Sequence, residues 1–409
     1  MPDTLAFAAL DGPQPGPLPL NAYRSIYDEI AAGAAQRDAE RSHPHAALDL
    51  LRRARFGAIR LPVEEGGGGA SLRDVIQQAI LLGEADTNVA HIYRNHFSFG
   101  ERLLIASGDP KRLPWRQVVL DGGIIGVATT EIDRPVIGGT LPLRTRLTAD
   151  GEGYRLNGTK FYSTGSFYAE LIYVRAIGPD DENLAVIVPT RREGVELVDD
   201  WDGIGQRVTG TGTTNFHNVR IEAEDIVFER ETPDYLLPYS STVAQLFVTA
   251  VNAGILRAAL RDAKALIRGR TRNFYYAPAE VAAEDPILQQ TIGRIAADAF
   301  AAELVVLAAA EHLDRAAEAR LAGQPVATAA HAASVATAKA KVIVDELVLR
   351  STNALFDVGG ASAATRPKNL DRHWRNARTL ASHNPAAYKA QLLGKYELHG
   401  TLLPGLGFF

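Results

Sequence analysis

The stretch LNGTKFYSTGSFYAELIYVRA, Leu156 to Ala176, decides how the rest of the chain is read. It holds two short β-rich runs joined by a Gly-, Ser- and Thr-rich connection, and the pattern extends to either side. Upstream lie GIIGVATT and TLPLRTRLTAD; downstream lie NLAVIVPT, GVELVDDWDGI and TTNFHNVRIEAEDIVFE. Short runs rich in β-branched and aromatic residues, separated by Gly, Asp or Asn, mark an all-β unit. Asp150–Gly151 is a dipeptide that turns hairpins. The β period begins after about Trp115, with VVLDGGIIG as its first strand region, and ends before about Ser240.

Outside those limits the period is helical. YRSIYDEIAAGAAQRDAER and HAALDLLRRARF read as two helices, the second stopped by Gly57. Pro62 and Gly66 to Gly69 make an irregular segment, Ser71 caps the next helix, and another covers Asn88 to Ser107. After the β unit come three long helices, the first from Ser240, the second opening near Pro286 and stopping at Gly323, the third ending in FDVGG. HNPAAYKAQLLGKYELHG gives a shorter fourth, preceded by an arginine-rich turn, WRNART.

The expected architecture is α+β: a proline-rich extended arm and helical domain over 1–115, a β-domain over 116–235, and a helical bundle with tail over 236–409. Strands and helices do not alternate, which excludes a doubly wound sheet. VEEGGGG lacks the spacing of a dinucleotide-binding loop and reads as a flexible connection. Alanine-rich helices of this length exceed what one chain can cover, so oligomerisation is expected.

Of 409 residues, 43 are basic and 48 acidic, for a formal net charge of -5. That balance implies no nucleic acid and no anionic membrane as an obligatory partner. With no cysteine, disulfides, thiolate metal sites and thiol nucleophiles are excluded. The first residues lack a secretory signal pattern and no continuous apolar run has the length of a membrane span. A soluble, cytoplasmic protein is expected. No GxSxG elbow supports a hydrolase, and the spacing of His91 and His96 is one residue too long for a helical zinc pair, so no metal is expected.

Several segments, in order, resemble the acyl-CoA dehydrogenase superfamily: FGAIRLPVEEGGGG, GVATTE, LNGTKFYSTGSFYAELIYVRA, GIGQRVTGTGTTNFHNVRI, FDVGGASA and WRNART. The resemblance implies an N-terminal helical domain, a central β-barrel-like domain and a C-terminal four-helix bundle, in tetramers that bind flavin partly across subunits. Dehydrogenases of this fold need a carboxylate base. The two positions where members carry it fall here on Asn384 and near Ala244, and neither side chain can take a proton at neutral pH.

NLDRHWRNART followed by His383 is more similar to the flavin-dependent monooxygenase branch, which includes dibenzothiophene and sulfone monooxygenases. That similarity implies reduced FMN supplied by a separate flavin reductase, with diffusion as one route of transfer, O2 as co-substrate, and oxygen transfer through a C4a-(hydro)peroxyflavin to a small substrate, with sulfur-containing molecules as one candidate class. His383 is the implied residue near flavin C4a and N5. An imidazole with a pKa of about 6.5 can give or hold a proton there. His91 matches an active-site histidine of the branch, and Asn95 stands where its type member has an aromatic hydroxyl. Thr164 matches a hydroxyl residue at the flavin. Thr129 and Thr130 sit where family strands present donors to the ring. Arg272, or its neighbour Arg270, matches a phosphate-holding arginine, while Gly359 and Gly360 offer backbone N–H groups to phosphate. Arg375 either pins the C-terminal turn or reaches the flavin. Asn384 reads as a helix cap ahead of Pro385. The alternatives are an acyl-CoA dehydrogenase carrying FAD and a non-catalytic flavin-binding protein.

Overall fold

In a computed structural model, residues 16–102, 112–132, 143–228 and 238–405 are described. The start of the proline-rich arm, residues 1–15, lies outside them, as does the boundary expected at 235. Helices come first: α1 (Tyr23–Glu40), α2 (His45–Arg53), α3 (Leu72–Ala85), α4 (Thr87–Gly100) and α5 (Leu113–Leu120). The strands follow: β1 (Ile125–Ala128), β2 (Arg146–Asp150), β3 (Gly153–Lys160), β4 (Leu171–Ile177), β5 (Asn183–Pro189), β6 (Val195–Val198), β7 (Thr213–Ile221) and β8 (Ile226–Phe228). The chain then returns to helix: α6 (Ser240–Arg268), α7 (Pro286–Leu321), α8 (Ala327–Gly359), α9 (Asp371–Ala381) and α10 (Ala386–His399).

The strands form one mixed sheet in the order β6-β7-β3-β2-β4-β5-β8, with β1 parallel to β4. Asp150 pairs with Gly153 across the expected hairpin, and Gly151 takes a φ of 62° there, a turn conformation that suits glycine. Ser71 caps α3 in a reciprocal capping box with Asp74. Pro286 opens α7 at its first turn, where a missing N–H costs nothing.

Three readings need correction. VVL of VVLDGGIIG lies in α5, because Trp115, Val118 and Val119 put an apolar face on the cluster with Tyr173 and Ile187. WRNART is no turn but the body of α9, whose buried His373, Asn376, Ala377 and Leu380 fall on one helical face. Gly57 does not stop α2, which ends at Arg53; a Cβ on Gly57 would stand 2.7 Å from His96 Nε2, so the glycine lets α4 approach.

The largest core cluster joins α1 to α4 with α6, α7 and α8. Gly83 and Gly254 let α3 and α6 touch backbone to backbone, since a Cβ on Gly254 would meet Ile80 O at 2.4 Å. Helix α6 is long and apolar enough to cross a membrane by composition, but most of its apolar stretch is buried among these helices.

Candidate functional site

Helix α4 carries the centre of the site. Asp86 starts it by accepting from the amides of Asn88 and Val89 and is itself held by Arg37 at 2.9 Å. From that start His91, Arg94, Asn95 and Ser98 fall three, four and seven residues along one face, and all four are buried. Ser98 Oγ donates to Ser240 O at 2.9 Å, which fixes the beginning of α6 against this face. Asn95 Nδ2 donates to Thr164 O at 3.0 Å, which fixes the connection after β3.

That connection is zipped to the loop between β6 and β7. Ser163 N donates to Gly212 O, and Gly165 N to Thr209 O. The hydroxyls of Thr164 and Thr211 are 2.9 Å apart, those of Thr211 and Thr209 2.6 Å, and Thr209 Oγ1 donates to Gln206 O. Gln206 is the hub. Its amide accepts from His91 Nδ1 at 3.1 Å and donates to Thr87 Oγ1, and its backbone N–H donates to Asn376 Oδ1 on α9. Because Gln206 Oε1 can only accept, His91 carries its proton on Nδ1 and presents a bare Nε2. That Nε2 is buried with no hydrogen-bond partner among the described residues. Burial, and then the Arg94 charge, push His91 down to about 3 against the opposing Gln206 bond.

His383 follows α9 and reaches the same place. Burial is the largest influence on it, followed by the charges of Arg94, His91, Lys341 and Lys389, and together they hold it well below the ordinary histidine range. The expectation of a ring titrating near pH 6.5 is therefore corrected: among buried cations the neutral imidazole is the stable form. Asn384 does not cap α10. Its Nδ2 donates to Gln245 Oε1 on α6 at 2.5 Å, and its Oδ1 is buried without a partner among the described residues.

The two positions considered for a base thus meet. Asn384 bonds the side chain next to Ala244, and the Ala244 carbonyl accepts from Arg94 Nε at 3.2 Å. Where an acyl-CoA dehydrogenase needs a carboxylate, this chain has an amide, a methyl group and a guanidinium. Buried acids lie nearby but are committed: Glu101 to Arg60 at 2.8 Å and Tyr239 at 3.1 Å, Asp345 to Lys341 at 2.6 Å and Asn252 at 3.1 Å.

Thr129 and Thr130 follow β1, and Thr130 O accepts from Phe161 N at 2.9 Å. Glu131 beside them pairs with the fully buried Lys160 at 2.6 Å. Burial pushes Glu131 up, but the Lys160 ammonium, the Arg144 amide and the Thr145 hydroxyl outweigh it and bring the carboxyl down to about 2. GVATTE and LNGTKF, quoted separately in the sequence, are thus one clasp.

The phosphate candidates lie elsewhere. Arg270 Nη1 donates to Val358 O at 3.0 Å, beside Gly359 and Gly360, and Arg272 is exposed. Residue 270 follows Gln245 by 25 positions along or just beyond α6, roughly 37 Å at 1.5 Å per residue. That exceeds the length of one flavin nucleotide. Within one subunit these groups and His383 do not serve the same cofactor. Arg375 is committed to Asp38 at 2.6 Å, to Asp371 at 2.7 Å, and to Asn369 and the Ile204 carbonyl; of its two readings the geometry favours the pin. A separate cavity of about 370 Å³ lies behind α4, between α1, α3, α6 and α9, and shares Thr87 and Asn376 with the Gln206 hub.

His91 Nε2, Asn384 Oδ1 and Ser163 Oγ are buried without a hydrogen-bond partner among the described residues; His91 is on α4, Asn384 is tied to α6 through Gln245, and Ser163 lies beside Thr164, which Asn95 of α4 holds. A flat heterocycle with both donors and acceptors on its edge fits such a set. Gln206, Gln245 and Arg94 were not singled out in the sequence. Gln206 stood inside the quoted GIGQRVTGTGTTNFHNVRI and Arg94 inside the helix expected over Asn88 to Ser107, but nothing marked them apart from their neighbours.

Comparison with known proteins agrees with the fold. The family described as acyl-CoA dehydrogenase, C-terminal domain, matches residues 246–387. Dibenzothiophene monooxygenase from Rhodococcus erythropolis is 28% identical over 404 residues, covering 95% of each chain. The structure of methanesulfinate monooxygenase MsuC from Pseudomonas fluorescens superposes with a TM-score of 0.86 at 27% identity, covering 96% of this chain and 100% of that one. FMN-bound TdsC from Paenibacillus sp. A11-2 gives 0.85 at 27% identity, covering 95% and 99%. The chain is thus similar to the acyl-CoA dehydrogenase family over its C-terminal helices and, along nearly its whole length, to flavin-dependent monooxygenases of that fold.

Proposed function

We propose that this chain is the oxygenase of a two-component system, using reduced FMN from a separate flavin reductase and O2 to oxygenate a small, sulfur-containing molecule. The single observation that carries the reading is the occupancy of the base positions: Ala244 and Asn384, with Arg94 over the Ala244 carbonyl. An α-proton cannot be removed there, whereas relatives similar along the whole chain are named as monooxygenases.

Reduced FMN, when bound, supplies the two electrons that divide O2 between product and water, so that FMNH2, O2 and substrate give FMN, oxygenated substrate and water. The protein's part is to bind, orient and keep water out. Thr164, held through its carbonyl by Asn95 and through its hydroxyl by Thr211, presents a fixed donor or acceptor to the ring edge. His91 offers a lone pair at Nε2 as an acceptor, with Gln206 fixing the tautomer. His383, neutral beside Arg94, is the second acceptor. Excluding water protects the oxidant from premature protonation and loss as hydrogen peroxide.

The long separation along α6 favours a homotetramer in which Arg270, Arg272, Gly359 and Gly360 hold the phosphate of a neighbour's flavin. Exposed Phe274, Tyr275 and Tyr276, with Ile287, Phe300 and Leu304 on α7, are apolar surface for that assembly. A cytoplasmic location, delivery of reduced flavin by diffusion and the division at 115 and 235 belong to the same reading.

The test is turnover of the full chain with reduced FMN under isotopically labelled O2. One labelled oxygen in the product is expected. If an acyl-CoA instead reduces bound FAD without oxygen, the dehydrogenase reading replaces this one.

A further inference from the structure

Arg94 is 8% exposed, and among the described residues its one hydrogen bond runs from Nε to the Ala244 carbonyl. No carboxylate among the described residues pairs with it. Elsewhere the interior matches its cations: Arg60 with Glu101, Lys160 with Glu131, Lys341 with Asp345, Arg37 with Asp86. A guanidinium has five N–H donors in a planar fork, so Arg94 keeps four beyond its Nε bond. Burying such a charge unpaired is costly. Burial lowers Arg94 only to about 10, so it stays charged at neutral pH. It shares its helix face with the orphaned His91 Nε2 and acts on His383, near which Lys341, paired with Asp345, and Lys389 also add positive charge.

We propose that Arg94 anchors the substrate by an oxyanion, so that the molecule oxygenated here is a small sulfinate, sulfonate or carboxylate. The inference rests on the oxygenase reading and names its substrate class. A planar fork pairs two oxygens of such a group at once, and an anion there supplies the counter-charge that the protein itself omits. A neutral polycycle would leave the guanidinium unpaired and gain nothing from it. The competing use of Arg94 is to bind the flavin.

The experiment is calorimetric titration of the full chain, with oxidised FMN present, by methanesulfinate, methanesulfonate and the neutral dimethyl sulfone. Both anions are expected to bind with salt-dependent affinity and the sulfone weakly. Arg94→Met should weaken both anions about tenfold or more, as loss of a charged hydrogen-bonded pair does. It should leave FMN affinity unchanged and raise the melting temperature, because an unpaired buried charge is removed. Arg94→Lys should recover part of the anion affinity. The proposal is overturned if wild type binds neither anion, if the sulfone binds as well as they do, or if Arg94→Met leaves the anions unchanged. It also falls if the variant loses FMN instead, or melts at lower temperature, which would make Arg94 a structural residue. Since binding is read without turnover, an anion held by Arg94 in a protein that inserts no oxygen would sink the oxygenase reading alone.

Discussion

Two histidines on α4, five positions apart, are both buried and both pushed down, yet they do different work. His96 has each nitrogen used: Nε2 donates to Gly57 O at 2.9 Å, and Nδ1 accepts from Ile125 N at 3.1 Å. It clamps the turn after α2 to the start of β1. His91 has Nδ1 on Gln206 and Nε2 on nothing among the described residues. A buried polar atom without a partner is a standing cost unless something arrives to meet it. The satisfied ring holds the fold, and the half-satisfied ring is available to a ligand.

The comparison breaks most sharply at His96. His96→Ala leaves the Gly57 carbonyl and the Ile125 amide unpaired and opens a cavity, so a loss of about 3 kcal/mol is expected in urea unfolding. Next comes Gly57→Ala, whose methyl at 2.7 Å from His96 Nε2 forces the ring off its partner, at about 2 kcal/mol. Acid should act on both rings together. The unfolded chain binds protons from about pH 6.5, whereas folded His91 and His96 wait until about 3 and 4. The unfolded state therefore holds more protons between those limits, and stability falls as pH falls, by about 1.4 kcal/mol per pH unit for each ring. Denaturation midpoints between pH 6.5 and 4.5 check this, and His96→Gln should flatten the slope.

His91→Ala has the smallest effect on stability, about 1 kcal/mol or less, since it frees only the Gln206 carbonyl. It should nevertheless lower product formed per reduced flavin and raise hydrogen peroxide. His383→Ala should do the same while FMN binding, followed by fluorescence, is retained. Full coupling in both variants would remove the imidazoles from the mechanism.

Much of the frame was legible. The change from helical to β period and back, the Asp150–Gly151 hairpin, the Ser71 cap and the proline start of α7 are local, set by residues within a turn of one another. The empty base positions were also legible, because the absence of an acid is a property of composition. Other features were not. WRNART looked like a turn because its charges hide a buried face that exists only once α6, α8, Asp38 and Gln206 pack against it. The histidines looked ready to titrate because burial and neighbouring cations are not written beside them. Arg94 was read past, since an arginine beside two histidines has no mark of whether a carboxylate will face it.

The order of elements, the residues available for chemistry and the lack of a base followed from the chain itself, since propensity, patterning and residue type act at short range. Which rings are neutral, which cation is left unpaired and how far apart the site candidates lie along α6 were decided only by packing. Electrostatic environment and orphaned donors depend on what distant segments bring or withhold, and helix α6 alone separates two parts of the proposed site by more than a flavin's length.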